Sequence, residues 1–264
     1  MPEAKEYPPN TFCWPELATS DPQAAKKFYG GLMGWSFKDN PAGPDMVYTM
    51  VLKGDKYVGA LYAITEEMKT QGVPPNWLSY VSVTNADETA KKAEELGGKI
   101  IKECCDVMDE GRMALLQDPA GAVFAIWQPK SALGAQLVNE HGALTWNELM
   151  TGDVDRAGKF YTDLFGWGSD TADMGGFNYT SFTNGERPAG GMMQIDPKTM
   201  GDVPPHWLVY FAVDDCDGAA ETIKKLGGTV VAPPRNIPEV GRFCVAVDPQ
   251  GAAFAVIKLL NPPA

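Results

Sequence analysis

Two glutamates stand in matching surroundings at distant points of the chain. Glu16 lies two residues after Trp14, and Glu148 lies two residues after Trp146. Side chains two positions apart on a β-strand point to the same face, so each carboxylate would share a face with an indole. A carboxylate in apolar surroundings has a raised pKa and can act as a general base or accept hydrogen bonds from a ligand. Glu16 and Glu148 are therefore candidate catalytic residues.

A structural role is the alternative for both glutamates. Backbone N–H groups, or the side chains of Arg112 and Arg242, would then supply the hydrogen bonds that a buried carboxylate needs. Burying the same charge in two places is costly unless a partner compensates it, so the pattern keeps both interpretations open.

The matching surroundings belong to a repeat that runs through the whole chain. Equivalent residues are separated by 132 positions near the start of each copy and by 130 near its end. Matched pairs are Trp14 with Trp146, Asp21 with Asp153, Tyr29 with Tyr161, Gly34 with Gly166, Trp77 with Trp207, Gly111 with Gly241 and Asp118 with Asp248. The sequence thus predicts two domains, at residues 10–128 and 143–259, joined by a linker at 129–142.

Each copy contains two units of the form strand, helix and further strands. Asp21 and Pro22 fit the cap and the first position of a helix, and Gly34 fits its end. The hydrophobic periodicity predicts strands at 12–18, 46–52, 57–64, 77–83, 99–103, 112–117 and 122–128, and helices near 22–34, 86–96, 154–164 and 216–226. Mixed sheets with helices on one face follow, which is the α+β class.

Two motifs recur at corresponding places in both copies. In the first copy they are Asp21-Pro-x-x-Ala-x-x-Phe28-Tyr29 with Gly34-Trp35, and Asp118-Pro-x-Gly121. These motifs resemble the vicinal oxygen chelate superfamily of glyoxalases, bleomycin-resistance proteins and extradiol dioxygenases. The Trp-x-Glu-Leu and Pro-Pro-x-Trp segments are similar to two-domain glyoxalase-like proteins of the mycobacterial culture-filtrate antigen type. The resemblance implies tandem glyoxalase-like domains, each built from two βαβββ modules that form a curved mixed sheet around a cup.

The resemblance also implies where metal ligands would lie, because the superfamily's cup holds a metal ion that chelates neighbouring oxygens of the substrate. Three ligand positions fall on Trp14, Leu78 and Ala125 in the first copy and on Trp146, Leu208 and Ala255 in the second. Indole, isobutyl and methyl groups do not coordinate divalent cations. The segments that correspond to the fourth ligand, 59–63 and 190–194, contain no His, Asp or Glu. We therefore expect neither a metal nor another cofactor.

The same positions would line each cup with apolar and aromatic side chains. Predicted ligand-binding residues are Trp14, Leu78, Tyr80 and Ala125 in the first cup, and Trp146, His206, Leu208, Tyr210 and Ala255 in the second. The tryptophans are expected to stack on a planar guest, and the alanines to leave space for it. His206 is expected at the rim; catalysis, or a non-standard metal pair with Glu148, is its alternative role.

These features predict a metal-independent protein whose partner is a small molecule, a planar or apolar metabolite or drug. The alternative is a lyase or dioxygenase-like enzyme that uses Glu148 or Glu16 as its base, or a non-standard metal site. A third possibility is a scaffold with no ligand in its cups. Fold-level resemblance does not decide between these functions.

The composition of the chain disfavours several classes of binding partner and indicates where the protein is located. A net charge of −12 disfavours nucleic acid and anionic membranes, since both attract basic surfaces. No apolar stretch reaches the ~18 residues of a membrane span, and residues 1–10 lack the apolar core of a signal peptide. All five cysteines are expected to be reduced. We therefore expect a cytoplasmic protein, either a monomer with paired domains or a homodimer.

Overall fold

The repeat forms two sheets of eight strands each. The computed structural model describes residue 4 and residues 6–43 and 46–261. The first sheet contains β1 (Thr11–Thr19), β2 (Ser36–Pro41), β3 (Val47–Lys53), β4 (Lys56–Ala63), β5 (Asn76–Ser82), β6 (Lys99–Val107), β7 (Gly111–Gln117) and β8 (Val123–Pro129). The second contains β9 (Leu144–Thr151), β10 (Gly168–Asp173), β11 (Asn178–Asn184), β12 (Arg187–Gln194), β13 (His206–Ala212), β14 (Thr229–Ile237), β15 (Gly241–Val247) and β16 (Ala253–Leu259). The helices are α1 (Pro22–Met33), α2 (Glu66–Thr70), α3 (Ala86–Glu95), α4 (Val154–Phe165), α5 (Pro197–Met200) and α6 (Cys216–Lys225).

Local signals in the sequence determine where the first long helix of each domain begins and ends. The Asp21 carboxylate accepts hydrogen bonds from two N–H groups in the first turn of α1, and Gly34 ends the helix with a φ of 67°. The Asp153 carboxylate accepts one hydrogen bond, from the Arg156 N–H in the first turn of α4, and Gly166 ends this helix with a φ of 70°. The predicted boundaries of these helices are therefore confirmed to within a residue or two.

Two modules meet at the centre of each sheet. The strand orders are β2-β3-β4-β1-β5-β8-β7-β6 and β10-β11-β12-β9-β13-β16-β15-β14. β1 pairs antiparallel with β5, while the β1–β4 and β5–β8 pairs are parallel. The prediction of an α+β fold with tandem glyoxalase-like domains, each one mixed sheet made of two βαβββ modules, is confirmed.

The edge strands β2 and β10 were not among the strands that the periodicity predicts. Their residues show no apolar alternation, and every residue of β10 is exposed. Hydrogen bonds to β3 and β11 hold them in place, and Phe37 of β2 adds a contact with a core cluster. A pattern that depends on burial cannot detect such strands.

The two domains pack on one another through their long helices. Tyr29 of α1 donates a hydrogen bond to the Asp248 carboxylate in the second domain, at 3.0 Å. Tyr161 of α4 donates to the Asp118 carboxylate in the first domain, also at 3.0 Å. Each helix is thus buried in an apolar cluster that includes the last strands of the other domain. The recurring motifs of the sequence are the residues that join the domains.

Two further observations concern the described part of the chain. No helix in it is long and apolar enough to cross a membrane. Its five cysteines form no disulfide.

Candidate functional site

A hydrogen-bond network lies at the centre of the first sheet. The Tyr80 hydroxyl donates to Oε1 of Glu16 at 2.9 Å, and the Tyr48 hydroxyl donates to Oε2 at 2.5 Å. The indole Nε1 of Trp14 donates to the Tyr48 hydroxyl at 3.3 Å. The face of the sheet that carries Trp14, Glu16 and Tyr80 is called the first cup below.

The second sheet repeats this network on the face called the second cup. The Tyr210 hydroxyl donates to Oε1 of Glu148 at 2.9 Å, and Nε1 of Trp146 donates to the Tyr179 hydroxyl at 3.2 Å. Tyr179 also hydrogen-bonds to Glu148. A Cβ added at Gly191 would collide with the Tyr179 hydroxyl, so a larger residue there would displace Tyr179 from its present position.

Burial raises the pKa of both glutamates. For Glu16, hydrogen bonds from Tyr48 and Tyr80 and the charge of Lys102 act in the opposite direction. For Glu148 only the tyrosine hydrogen bonds do so. Burial also raises the pKa of the four tyrosines, which keeps their hydroxyls protonated as donors. Because a carboxylate oxygen accepts two hydrogen bonds, each glutamate keeps capacity for a donor on a ligand.

The cup faces keep apolar side chains that the protein does not fully cover. Glu16 and Glu148 are only 6% and 8% exposed. Around them lies a ring of partly exposed side chains. These are Trp14, Tyr48, Met50, Tyr62, Leu78, Leu115 and Trp127 in the first cup, and Trp146, Tyr179, Met193, Phe243 and Val245 in the second. The opposite face of each sheet is instead packed against helices and the other domain.

The structure brings most of the predicted site residues together. Leu78 pairs with Glu16 across β1 and β5, and Tyr80 pairs with both Trp14 and Ala125. The equivalent pairs of the second cup are Leu208 with Glu148, Tyr210 with Trp146, and Tyr210 with Ala255. Both alanines are fully buried in the floors of the cups.

His206 has a local partner. Its Nδ1 lies 2.8 Å from the carbonyl oxygen of Pro204, and burial lowers its pKa. In the first domain the Asn76 side chain donates to the carbonyl of Pro74, also at 2.8 Å. His206 and Asn76 therefore hold equivalent turns, a role that requires neither catalysis nor metal binding.

The arginines considered as partners of the glutamates bind elsewhere. Arg112 forms two hydrogen bonds with Asp87, each of 2.8 Å, and Arg242 forms the equivalent pair with Asp217. These arginines tie a β-strand to the first turn of a helix. The alternative that they satisfy Glu16 and Glu148 is wrong, because tyrosine hydroxyls fill that role.

Tyr48 and Tyr179 were missed from the sequence. Each is the second residue of the third strand in its domain, and each is followed by a threonine. They are 131 positions apart, in the region where the offset of the repeat changes from 132 to 130. An alignment of the copies that allowed this shift would have matched them.

The residues at the superfamily's ligand positions do not fit a divalent metal. Indole, isobutyl and methyl side chains offer no donor electrons to such an ion. Each network instead contains one carboxylate and two protonated phenols. The described part of the chain contains no group of three or more His, Cys, Asp or Glu residues placed to hold a metal.

Two depressions lie outside the cups. One of about 130 Å³ is lined by Leu96, Pro119, Arg156, Lys159, Phe160 and Asp163. The other, of about 590 Å³, is lined by Asn139, Glu140, His141, Ala212, Val213, Asp214, Lys258 and Leu259. Neither is lined by a residue of the two networks.

The duplicated mixed sheets and their paired cups define the class of protein. The chain belongs to the Glyoxalase/Bleomycin resistance protein/Dioxygenase superfamily, whose family model matches residues 11–126 and 143–256. It is 42% identical over 260 residues to "Putative glyoxylase CFP32" of Mycobacterium tuberculosis, covering 98% of both chains. It is also 32% identical over 268 residues to "Anthracycline biosynthesis protein DnrV" of Streptomyces peucetius, covering 96% of this chain and 94% of that protein.

Solved structures support the fold. The Mn(II)-bound glyoxalase from Novosphingobium aromaticivorans matches with a TM-score of 0.66 and 17% identity, over 96% of this chain and 83% of that one. The 2,3-dioxygenase LapB from Pseudomonas sp. KL28 matches with a TM-score of 0.64 and 12% identity, over 96% and 93%. At these identities the likeness concerns the fold alone.

Proposed function

We propose that this protein binds a planar aromatic small molecule in each cup without a metal ion. The observation that carries the proposal is the repeated Trp–Tyr–Glu–Tyr network on an apolar sheet face that the protein leaves partly open. A pocket that is mostly apolar, with a few convergent polar groups, is the usual form of a small-molecule site.

The network suits a flat guest that carries a hydroxyl or N–H donor. The exposed parts of Trp14 and Trp146 offer a surface for stacking. The free acceptor capacity of Glu16 and Glu148 would take the donor of the guest. The name of DnrV connects that relative to anthracyclines, compounds built on fused planar rings. This supports a planar class of guest.

Metal independence rests on the donor chemistry of the cups. Trp14, Leu78 and Ala125, with their second-domain equivalents, replace the residues that would ligate an ion. Elemental analysis of the purified protein tests this directly. Metal at near-stoichiometric amounts that disappears in Glu148→Ala would contradict the proposal.

Ligand binding is tested by native mass spectrometry and calorimetry with fused-ring aromatic alcohols. The wild-type protein is expected to bind two molecules, with affinity unchanged by a chelator. Trp14→Leu and Trp146→Leu should each remove one molecule, and the double variant should remove both. Each single variant is the control for the other cup. If no aromatic alcohol binds to the wild type, the protein is better described as a scaffold.

An enzyme is the second candidate, favoured by the raised pKa of the two glutamates. A carboxylate of raised pKa beside phenolic donors can take a proton from a carbon next to a carbonyl group. Turnover of the adduct of methylglyoxal with a thiol, lost in Glu148→Gln or Glu16→Gln, would support this activity. Binding without turnover of this adduct favours the binding protein.

A further inference from the structure

The strand register allows the outer strands of the two cup faces, called the walls of the cups below, to be compared residue by residue. One row of paired residues crosses the first sheet from Glu16 to Ala60, Met50 and Lys38. The equivalent row crosses the second sheet from Glu148 to Gly191, Ser181 and Asp170. Residues paired across neighbouring strands point to the same face. Lys38 and Asp170 therefore lie on the cup faces at equivalent positions, with opposite charge.

The opposite walls also differ. The row that starts at Trp14 continues through Tyr80, Ala125 and Leu115 to Lys102. In the second domain it runs from Trp146 through Tyr210, Ala255 and Val245 to Ala232. The charge of Lys102 acts on Glu16, which agrees with an ammonium group that faces the first cup.

Independent contacts support these orientations. Asp39, the neighbour of Lys38, binds Lys26 of α1 at 2.6 Å and so points to the helix side of the sheet. Lys38 and Lys102 must then point the other way by strand alternation and register. Within the described ranges, neither lysine has a carboxylate at ion-pair distance.

The charges on the two faces therefore differ in sign. In the first cup the register places Lys38 and Lys102 around Glu16, which leaves an excess of positive charge. In the second it places Asp170 and Arg235 around Glu148, which leaves an excess of negative charge. The chain as a whole carries a net charge of −12, so an anion would be repelled wherever local cations did not attract it.

We propose that the first cup takes a planar aromatic carboxylate that also carries a hydroxyl donor for Glu16, whereas the second cup takes a neutral or cationic planar guest. Lys38 and Lys102 are the specificity-determining residues of the first cup, and Asp170 excludes anions from the second. This inference rests on the proposed function, because it assigns the guest's charge at sites that the proposed function makes ligand-binding.

The duplication supplies the matched variants for a test. Lys38→Asp with Lys102→Ala gives the first cup the residues that the second has at these two positions, and Asp170→Lys with Ala232→Lys does the reverse. Lys27→Asp, on the exposed side of α1, makes one of the same charge changes away from the cups. The probes are 6-hydroxy-2-naphthoate and its neutral analogue 6-hydroxy-2-naphthalenemethanol, called naphthoate and naphthalenemethanol below, and the readouts are calorimetric stoichiometry and affinity at low and high salt.

The wild type is expected to bind one naphthoate and two naphthalenemethanol molecules. Lys38→Asp with Lys102→Ala should weaken naphthoate at least tenfold, and Asp170→Lys with Ala232→Lys should add a second naphthoate site. High salt should reduce the naphthoate preference of the wild type, because ions screen exposed charges. Lys27→Asp should leave naphthoate affinity within twofold.

Two other outcomes distinguish a failure of the charge assignment from a failure of the proposed function. If naphthoate and naphthalenemethanol bind with equal affinity and stoichiometry, and the exchanged walls change neither, the charge assignment is overturned while the proposed function stands. If neither probe binds the wild type, both the proposed function and this inference are overturned.

Discussion

The two cups share the hydrogen-bond network at their centre, called the floor here, and differ in the outer strands that form their walls. The floors share a tryptophan, a glutamate and two tyrosines joined by equivalent hydrogen bonds. At the walls, Lys38 and Lys102 of the first cup correspond to Asp170 and Ala232 of the second. A buried polar network is stable only when every member is satisfied, so a single change in the floor is costly. Exposed wall residues carry no such constraint and can differ.

The largest loss of stability is expected at the interface between the two domains, and it tests whether the two halves are equivalent. Tyr29→Ala and Tyr161→Ala each remove a fully buried ring and the hydrogen bond to an aspartate across the domains. Each should lower the free energy of unfolding by about 3–5 kcal/mol. Urea denaturation measures this. Tyr29→Phe and Tyr161→Phe keep the ring and should cost less, about 1–3 kcal/mol. A large difference between the two alanine variants would show that the halves are not equivalent.

Gly191, beside the hydrogen-bond network of the second cup, gives a sharper test. Gly191→Ala places a methyl group against the Tyr179 hydroxyl, whereas the first domain has Ala60 at the equivalent position. Gly191→Ala should cost about 1–3 kcal/mol of stability through overpacking and should weaken ligand binding in the second cup only. Thermal denaturation and binding stoichiometry measure the two effects. The control is Ala60→Gly, for which nothing comparable is displaced; equal loss of ligand in both variants would contradict the steric account.

The pH dependence of stability should distinguish the two glutamates. Burial raises the folded-state pKa of Glu148, so its contribution is most favourable when it is protonated. That contribution is lost as the pH rises from the unfolded value, 4.5, through the raised folded value. Glu148→Gln should therefore gain stability relative to wild type over this window. Glu16→Gln should gain less, because Lys102 lowers the pKa of Glu16. Denaturant midpoints of the variant and the wild type from pH 4 upward test this. A stability difference in favour of Glu148→Gln that shrinks as the pH rises would contradict the prediction.

The smallest effect is expected at the turn before β13. His206→Asn gives the second domain the residue that the first has at Asn76, and both side chains hold the carbonyl of a preceding proline. Stability should change by less than ~0.5 kcal/mol, as for most substitutions that keep their local contacts. A tenfold loss of affinity in the second cup would show instead that the imidazole contacts the ligand.

The sequence predicted most of the fold because its signals are local. Asp21 and Gly34 bound α1 through their own backbone and side-chain chemistry, and the same pair recurs in α4. The edge strands β2 and β10 escaped because their pairing leaves no trace in hydrophobicity. Strand alternation was enough to place Trp14 beside Glu16. The tyrosines of β3 and β11 reach those residues across the sheet, and this contact depends on register that no local pattern contains.

The reciprocal packing of α1 and α4 has a consequence for how the cups can change. Each half gives the other the surface that a second identical copy would give it in a symmetric dimer. In such a dimer every mutation would occur twice, so both binding faces would remain the same. Joining the copies in one polypeptide removes this symmetry while keeping the interface. One half can then acquire a lysine where the other acquires an aspartate, and a single gene product can serve two different guests.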